Sequence, residues 1–190
     1  IATAKQTLTT AQTSFVTAKK ALEYLISPEV LYWEENVAQR EQILTDAKTA
    51  SQTDTSAAAK KKVSDAEASL KFAQDSLKYF QAVYTYTYIP ANFTQYHTVR
   101  GKTVPVQITD TLTGLLVDEV YPPTVGEIGI ARSAYDLAKA SIAEAQAYLD
   151  VLNGADVSDE PTGDNLVTYT QTKHALETAQ YNLKATQLIA

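Results

Sequence analysis

Ala4, Leu8, Ala11, Phe15, Ala18, Leu22 and Leu25 recur at alternating intervals of four and three residues. A helix completes a turn every 3.6 residues, so this interval holds all of them on one narrow seam. The seam alternates alanine with a bulky side chain, and a partner helix can come close at each alanine layer. The residues between are mostly Thr, Gln and Lys, which suits a solvated outer face. Threonine is a mediocre helix former, so packing must hold this helix.

The same reading extends along the chain. Ser27 is a good N-cap, Pro28 suits the first helical position, and Glu29 falls in the first turn. A second helix is expected from Pro28 to about Ala50, with Val30, Trp33, Val37, Leu44 and Ala47 as its stripe and Arg40 on the same seam. Ser51 to Ser56 reads as a polar turn. A third helix then runs to about Val83, with Val63, Ala66, Leu70, Ala73, Leu77 and Phe80 in register. Over 84–129 the helical period disappears. Tyr84, Tyr86 and Tyr88 alternate onto one side, and the stretch from Lys102 to Val120 reads as two strands around a Thr-Gly turn. A β insertion is expected there. Ile130, Ala134, Leu137, Ile142, Ala145, Leu149 and Leu152 mark a fourth long helix, with a slip near Ala138, and Asn153-Gly154 ends it. The last helix starts near Asn165 and carries Tyr169, Thr172, Leu176, Ala179, Leu183 and Thr186.

Stripes this narrow belong to slender helix pairs, because a globular bundle needs a wider apolar face. Short polar turns make sequential helices antiparallel. The expected fold is therefore mainly α: one elongated antiparallel coiled-coil hairpin over 1–190, of about five helical segments, with a small β-rich insertion at 84–129. Its seam would include Leu8, Phe15, Leu22, Leu70, Leu77, Leu176 and Leu183, and its two ends would lie together. The chain begins at Ile1 and finishes on Leu188-Ile189-Ala190, which reads as a piece cut from a longer protein.

Composition narrows the function. The formal charge is -6, and a phosphate-tracking surface needs a basic stripe, so nucleic acid is not an expected partner. Absence of cysteine removes disulfides, thiolate metal sites and thiol nucleophiles. His97 and His174 stand apart from any metal-spaced cluster, and Gly126-x-x-Gly129 is too sparse for a phosphate loop. No catalytic residue, cofactor or metal is expected. No apolar run is long enough to insert into a membrane. Tyr84, Tyr86, Tyr88, Tyr96 and Tyr121 concentrate in the insertion, where covering a small β element explains them better than an interaction surface does.

The helices with their A-x3-L-x2-A rhythm, ending in LETAQYNLKATQLIA, resemble the α-helical hairpin of haemolysin-D-type membrane fusion proteins, the periplasmic adaptors of efflux and type I secretion systems. Leu176, Ala179, Leu183, Thr186, Leu188 and Ala190 match the family's returning-helix ending. In that family the hairpin interrupts a lipoyl-like β domain. The resemblance implies a non-enzymatic adaptor outside the cytoplasm, tethered to the membrane in the full-length protein. Its partners would be an inner-membrane transporter, neighbouring hairpins and an outer-membrane channel. Channel-docking members carry Arg-x3-Leu-x6-Ser at the hairpin tip, and Arg40, Leu44 and Ser51 have that spacing. The competing reading lays Arg40 along the seam and makes Ser51 a helix cap. A second expectation, of another class, is a free-standing coiled-coil stalk whose β insertion binds a protein partner.

Overall fold

The structure, a computed structural model, describes residues 1–156 and 163–187. The chain is mainly helical. Its long helices are α1 (Ala2–Ile26), α2 (Pro28–Thr53), α3 (Ala57–Val83), α5 (Val125–Leu152) and α6 (Asp164–Gln187), with a one-turn α4 (Ile89–Phe93) between α3 and the strands. The strands β1 (Tyr96–Val99), β2 (Lys102–Pro105), β3 (Gln107–Thr109) and β4 (Leu116–Asp118) form two antiparallel hairpins. The chain divides into two compact units: Lys20–Ala131, and Ile1–Lys19 together with the chain from Arg132 onward.

In the first unit α2 and α3 pack antiparallel. Trp33 of α2 lies 5.7 Å from the Phe72 ring and 6.2 Å from that of Phe80. At the far end Lys48 pairs with Glu67 at 3.2 Å. The inward face of α3 is the one the sequence marks. Ala59, Ala66 and Ala73 are buried, and Val63, Leu70, Leu77 and Phe80 are half-buried between them. Ser56 caps α3 by accepting from the Ala59 N–H at 3.2 Å, and Asp54 accepts from the Ser56 N–H at 2.9 Å.

The strands are stitched at their bases. Gln95 N–H donates to Glu119, Glu119 N–H to Val106, and Val106 N–H to Gln95, at 2.7–2.9 Å. Arg100 (φ 51°) and Gly101 (φ 76°) both take left-handed backbone between β1 and β2. That is the two-residue turn whose twist suits a hairpin. The sequence pointed to the β3–β4 hairpin but not to this one. It also placed β structure too early, since Tyr84–Tyr88 continues α3 as a π-helical turn and α4 follows. The Tyr-Thr alternation has the period of a strand, but tertiary hydrogen bonds, described below, decide its conformation.

In the second unit the first part of α1 runs antiparallel to α5. The Phe15 and Tyr135 rings are 5.3 Å apart, and Ala4, Ala11, Ala138, Ala145 and Leu149 are buried. The α1 seam stands as the spacing predicts: Ala4, Ala11 and Leu22 are buried, and Leu8, Phe15, Ala18 and Leu25 are half-buried. The α1 threonines turn inward on their own backbone, Thr7, Thr9, Thr10, Thr13 and Thr17 each donating to the carbonyl four residues back at 3.0–3.1 Å.

On α5 the expected stripe is corrected. Ile130 and Leu137 are 75% and 69% exposed, and Ala134 is exposed too. The inward seam is Ile128, Ala131, Tyr135, Ala138, Ile142, Ala145, Leu149 and Leu152, in four-three spacing with no slip, and Val151 is buried beside its end. α5 also starts earlier than expected. Thr124 and Glu127 form a capping box, the Thr124 N–H and hydroxyl donating to Glu127 while Thr124 Oγ1 accepts from the Glu127 N–H. On α6, Leu166 is buried but Leu176, expected on the seam, is 58% exposed, and the described side chains beyond Thr170 are all exposed. The terminal Leu188 and Ala190 lie outside the described residues, and so do the side chains of Leu183 and His174.

Candidate functional site

The Arg40, Leu44 and Ser51 triad is placed on α2, half-buried, on the same face as Trp33, Val37 and Ala47. Ser51 does not open the turn. The helix continues to Thr53, and the Ser51 hydroxyl donates to the Lys48 carbonyl at 2.8 Å. The connection that reverses the chain is Asp54–Ser56. The Ser56 backbone and side-chain hydrogen bonds hold the Asp54 carboxyl below its usual range.

Among the described residues, the side-chain hydrogen bonds that span the most sequence gather elsewhere, at the α1–α2 joint. Pro28 has no N–H to return to Tyr24, so the last carbonyls of α1 lose their helical donors there. Ser27 sits between the helices with φ 72° and ψ 147°, is 3% exposed, and accepts from the Val30 N–H at 3.2 Å. A non-glycine residue in that region carries strain on the order of 1–3 kcal/mol and persists only where its surroundings hold it.

Two tyrosines hold the carbonyls just before Ser27. Tyr84 Oη donates to the Leu25 carbonyl at 2.7 Å. Tyr88 Oη shares its single proton between the carbonyls of Tyr24 at 3.0 Å and Glu23 at 3.2 Å. The π-helical turn brings both phenols to this point, with their rings stacked 5.7 Å apart. Such turns, one residue wider than α, often mark functional positions. Phe93 of α4 packs on Tyr24 at 5.3 Å and Tyr88 at 6.4 Å, closing the side of the cluster. Partial burial pushes both phenols above their ordinary value; for Tyr88 the negative groups around it add to this, Tyr24 and Glu29 first. At neutral pH both are neutral donors, as the geometry requires. The sequence carried the parts of this signal, a Ser-Pro break and tyrosines spaced by two, but nothing in the spacing says that they meet.

Two further surfaces stand out. The β3–β4 tip exposes Leu112 (94%), Leu115 (65%) and Leu116 (67%). It is held in shape by Asp110, which accepts from the N–H groups of Leu112 and Thr113 and from the Thr113 hydroxyl at 2.7–2.9 Å. In the second unit a cleft of about 530 Å³ opens between α1 and α5, lined by Gln6, Thr10, Ser14, Glu144, Tyr148 and Asn165 among others. Its Thr10 hydroxyl is already turned to the Gln6 carbonyl. Among the described residues no three His, Cys, Asp or Glu side chains gather closely enough to hold a metal, and His97 is exposed on β1. No helix among the described residues is long and apolar enough to cross a membrane.

No protein-family model, curated protein or solved structure matches the chain.

Proposed function

We propose that the chain is the non-enzymatic helical hairpin of a membrane fusion protein, an adaptor that links an inner-membrane transporter to envelope partners in efflux or secretion. In this reading it works outside the cytoplasm as an elongated antiparallel coiled coil, tethered through its parent protein and contacting neighbouring hairpins. One observation carries the proposal: α1, α2, α3 and α5 each turn a narrow four-three seam inward, with buried alanines recurring along α1, α3 and α5, and leave the opposite face to water. Helices built this way gain function from reach and stiffness. α1 and α2 together hold Ala2–Thr53, which at 1.5 Å per residue is about 78 Å of helix.

The half-buried setting of Arg40 and Leu44 favours a packing role for both, so any channel contact would use the Asp54–Ser56 connection. The gene read on both sides of residues 1–190 tests the adaptor reading. Two halves of a lipoyl-type β domain are the expected flanks, and a continuing helical repeat array would refute it.

The exposed leucines at the β3–β4 tip favour a second reading, a free-standing stalk whose β insertion binds a protein partner. Leu112→Asp and Leu115→Asp would abolish partner capture in that case and leave an adaptor assembled through its helices intact.

A further inference from the structure

We propose that the α1–α2 joint is a strained connection held in one geometry by a tyrosine latch, and that removing the latch frees the joint to change angle. The latch acts at this joint alone, whatever the partner. Ser27 occupies backbone that a side-chain-bearing residue rarely adopts, yet it is buried and has no glycine's freedom. A proline-capped break by itself fixes no angle between its two helices. What fixes it here comes from the end of α3: the phenols of Tyr84 and Tyr88 occupy the carbonyls of Glu23, Tyr24 and Leu25, the groups the break leaves without helical donors.

Tyr84 and Tyr88 open and close the π-helical turn, and four residues apart they share one face of it, their rings stacked 5.7 Å apart. Phe93 then packs against Tyr88 and Tyr24 from the side, so that the end of α1, the end of α3 and α4 meet in one cluster, while α3 itself packs on α2 through Phe80 and Trp33. Tyr86, between the two, is exposed and takes no part.

The cysteine-free chain suits a direct test. Spin labels at Lys20→Cys and Gln39→Cys, both exposed, report the distance across the joint by double electron–electron resonance. Fully aligned helices would set these positions about 29 Å apart along the axis. The chain with both tyrosines should give a single narrow distribution. Tyr84→Phe with Tyr88→Phe keeps the rings and removes only the hydroxyls, and should broaden or displace it, with helix content by circular dichroism unchanged. Each single Phe variant, still holding one phenol, should fall between the two. Tyr86→Phe should match the parent. Ser27→Gly in the parent background should keep the narrow distribution, because the latch remains. A double variant, or both single variants should the double fail to fold, with the parent's distribution would overturn the proposal. So would a Tyr86→Phe change as large as theirs.

Discussion

The Tyr84 hydroxyl donates to the Leu25 carbonyl at 2.7 Å, joining the end of α3 to the last turn of α1. Burial holds this phenol above its ordinary value of 10.0. A phenol raised on folding contributes its stability in full below the unfolded value and loses it as pH climbs through the folded one. The thermal midpoint of the chain should therefore fall above about pH 10, over and above what general alkaline repulsion causes. Tyr84→Phe should flatten part of that profile, and the tyrosinate absorbance should show one fewer late-titrating phenol in the variant, with Tyr88 still titrating late.

Ser27 separates strain from capping. Ser27→Gly relieves the backbone while losing only a few tenths of a kcal/mol of cap, and should raise stability by about 1 kcal/mol. Ser27→Ala keeps the strain and loses the bond to the Val30 N–H, and should lower stability by about 1 kcal/mol. Urea unfolding measures both.

The alanine layers should be intolerant of enlargement. Ala73 is 2% exposed against α2, and Ala73→Leu should lower stability by about 1–3 kcal/mol. Leu22, 1% exposed, should cost about 2–5 kcal/mol as Leu22→Ala. Both are read from urea midpoints at constant slope.

The α5 register is open to the same measurement. Ile130→Lys and Leu137→Lys lie on the outward face and should change stability by no more than about 0.5 kcal/mol. Ala138→Lys places an ammonium among buried side chains and should cost more than about 3 kcal/mol. The reverse order would restore the stripe first read from the sequence.

At the β3–β4 tip, hydrogen bonds from Thr113 and Leu112 hold the Asp110 carboxyl below 3.8. A depressed carboxyl contributes above its unfolded value and stops contributing as pH falls through its folded one. The Leu112 and Thr113 amide resonances should keep their native positions down to that lower pH and then shift together. Asp110→Ala should shift them at every pH.

How much of this was legible follows from what spacing can encode. The α1 and α3 seams stood where four-three counting put them, because alanine and a bulky partner alternate without a competitor on a neighbouring face. On α5 a competitor existed. Ile130 and Leu137 are more apolar than Ala131, Tyr135 and Ala138, so counting followed hydrophobicity onto the outer face, and the slip near Ala138 was the sign of the error. Caps read well where a proline accompanied them, as at Ser27, but the Thr124–Glu127 box hid behind two prolines. The Tyr84–Tyr88 turn was illegible, since its conformation is set by carbonyls about sixty residues earlier. The Arg40, Leu44 and Ser51 spacing was real, but spacing alone did not reveal that all three share the half-buried side of α2.

The α1 threonines leave a last consequence. Each hydroxyl that returns to its own backbone turns away from solvent, so the γ-methyl is what the outside meets. A rim that looks hydrophilic from its letters is thus partly coated in methyl groups. Water wets such a rim less well than serine or glutamine would allow, and a neighbouring surface could settle on it without stripping away bound solvent.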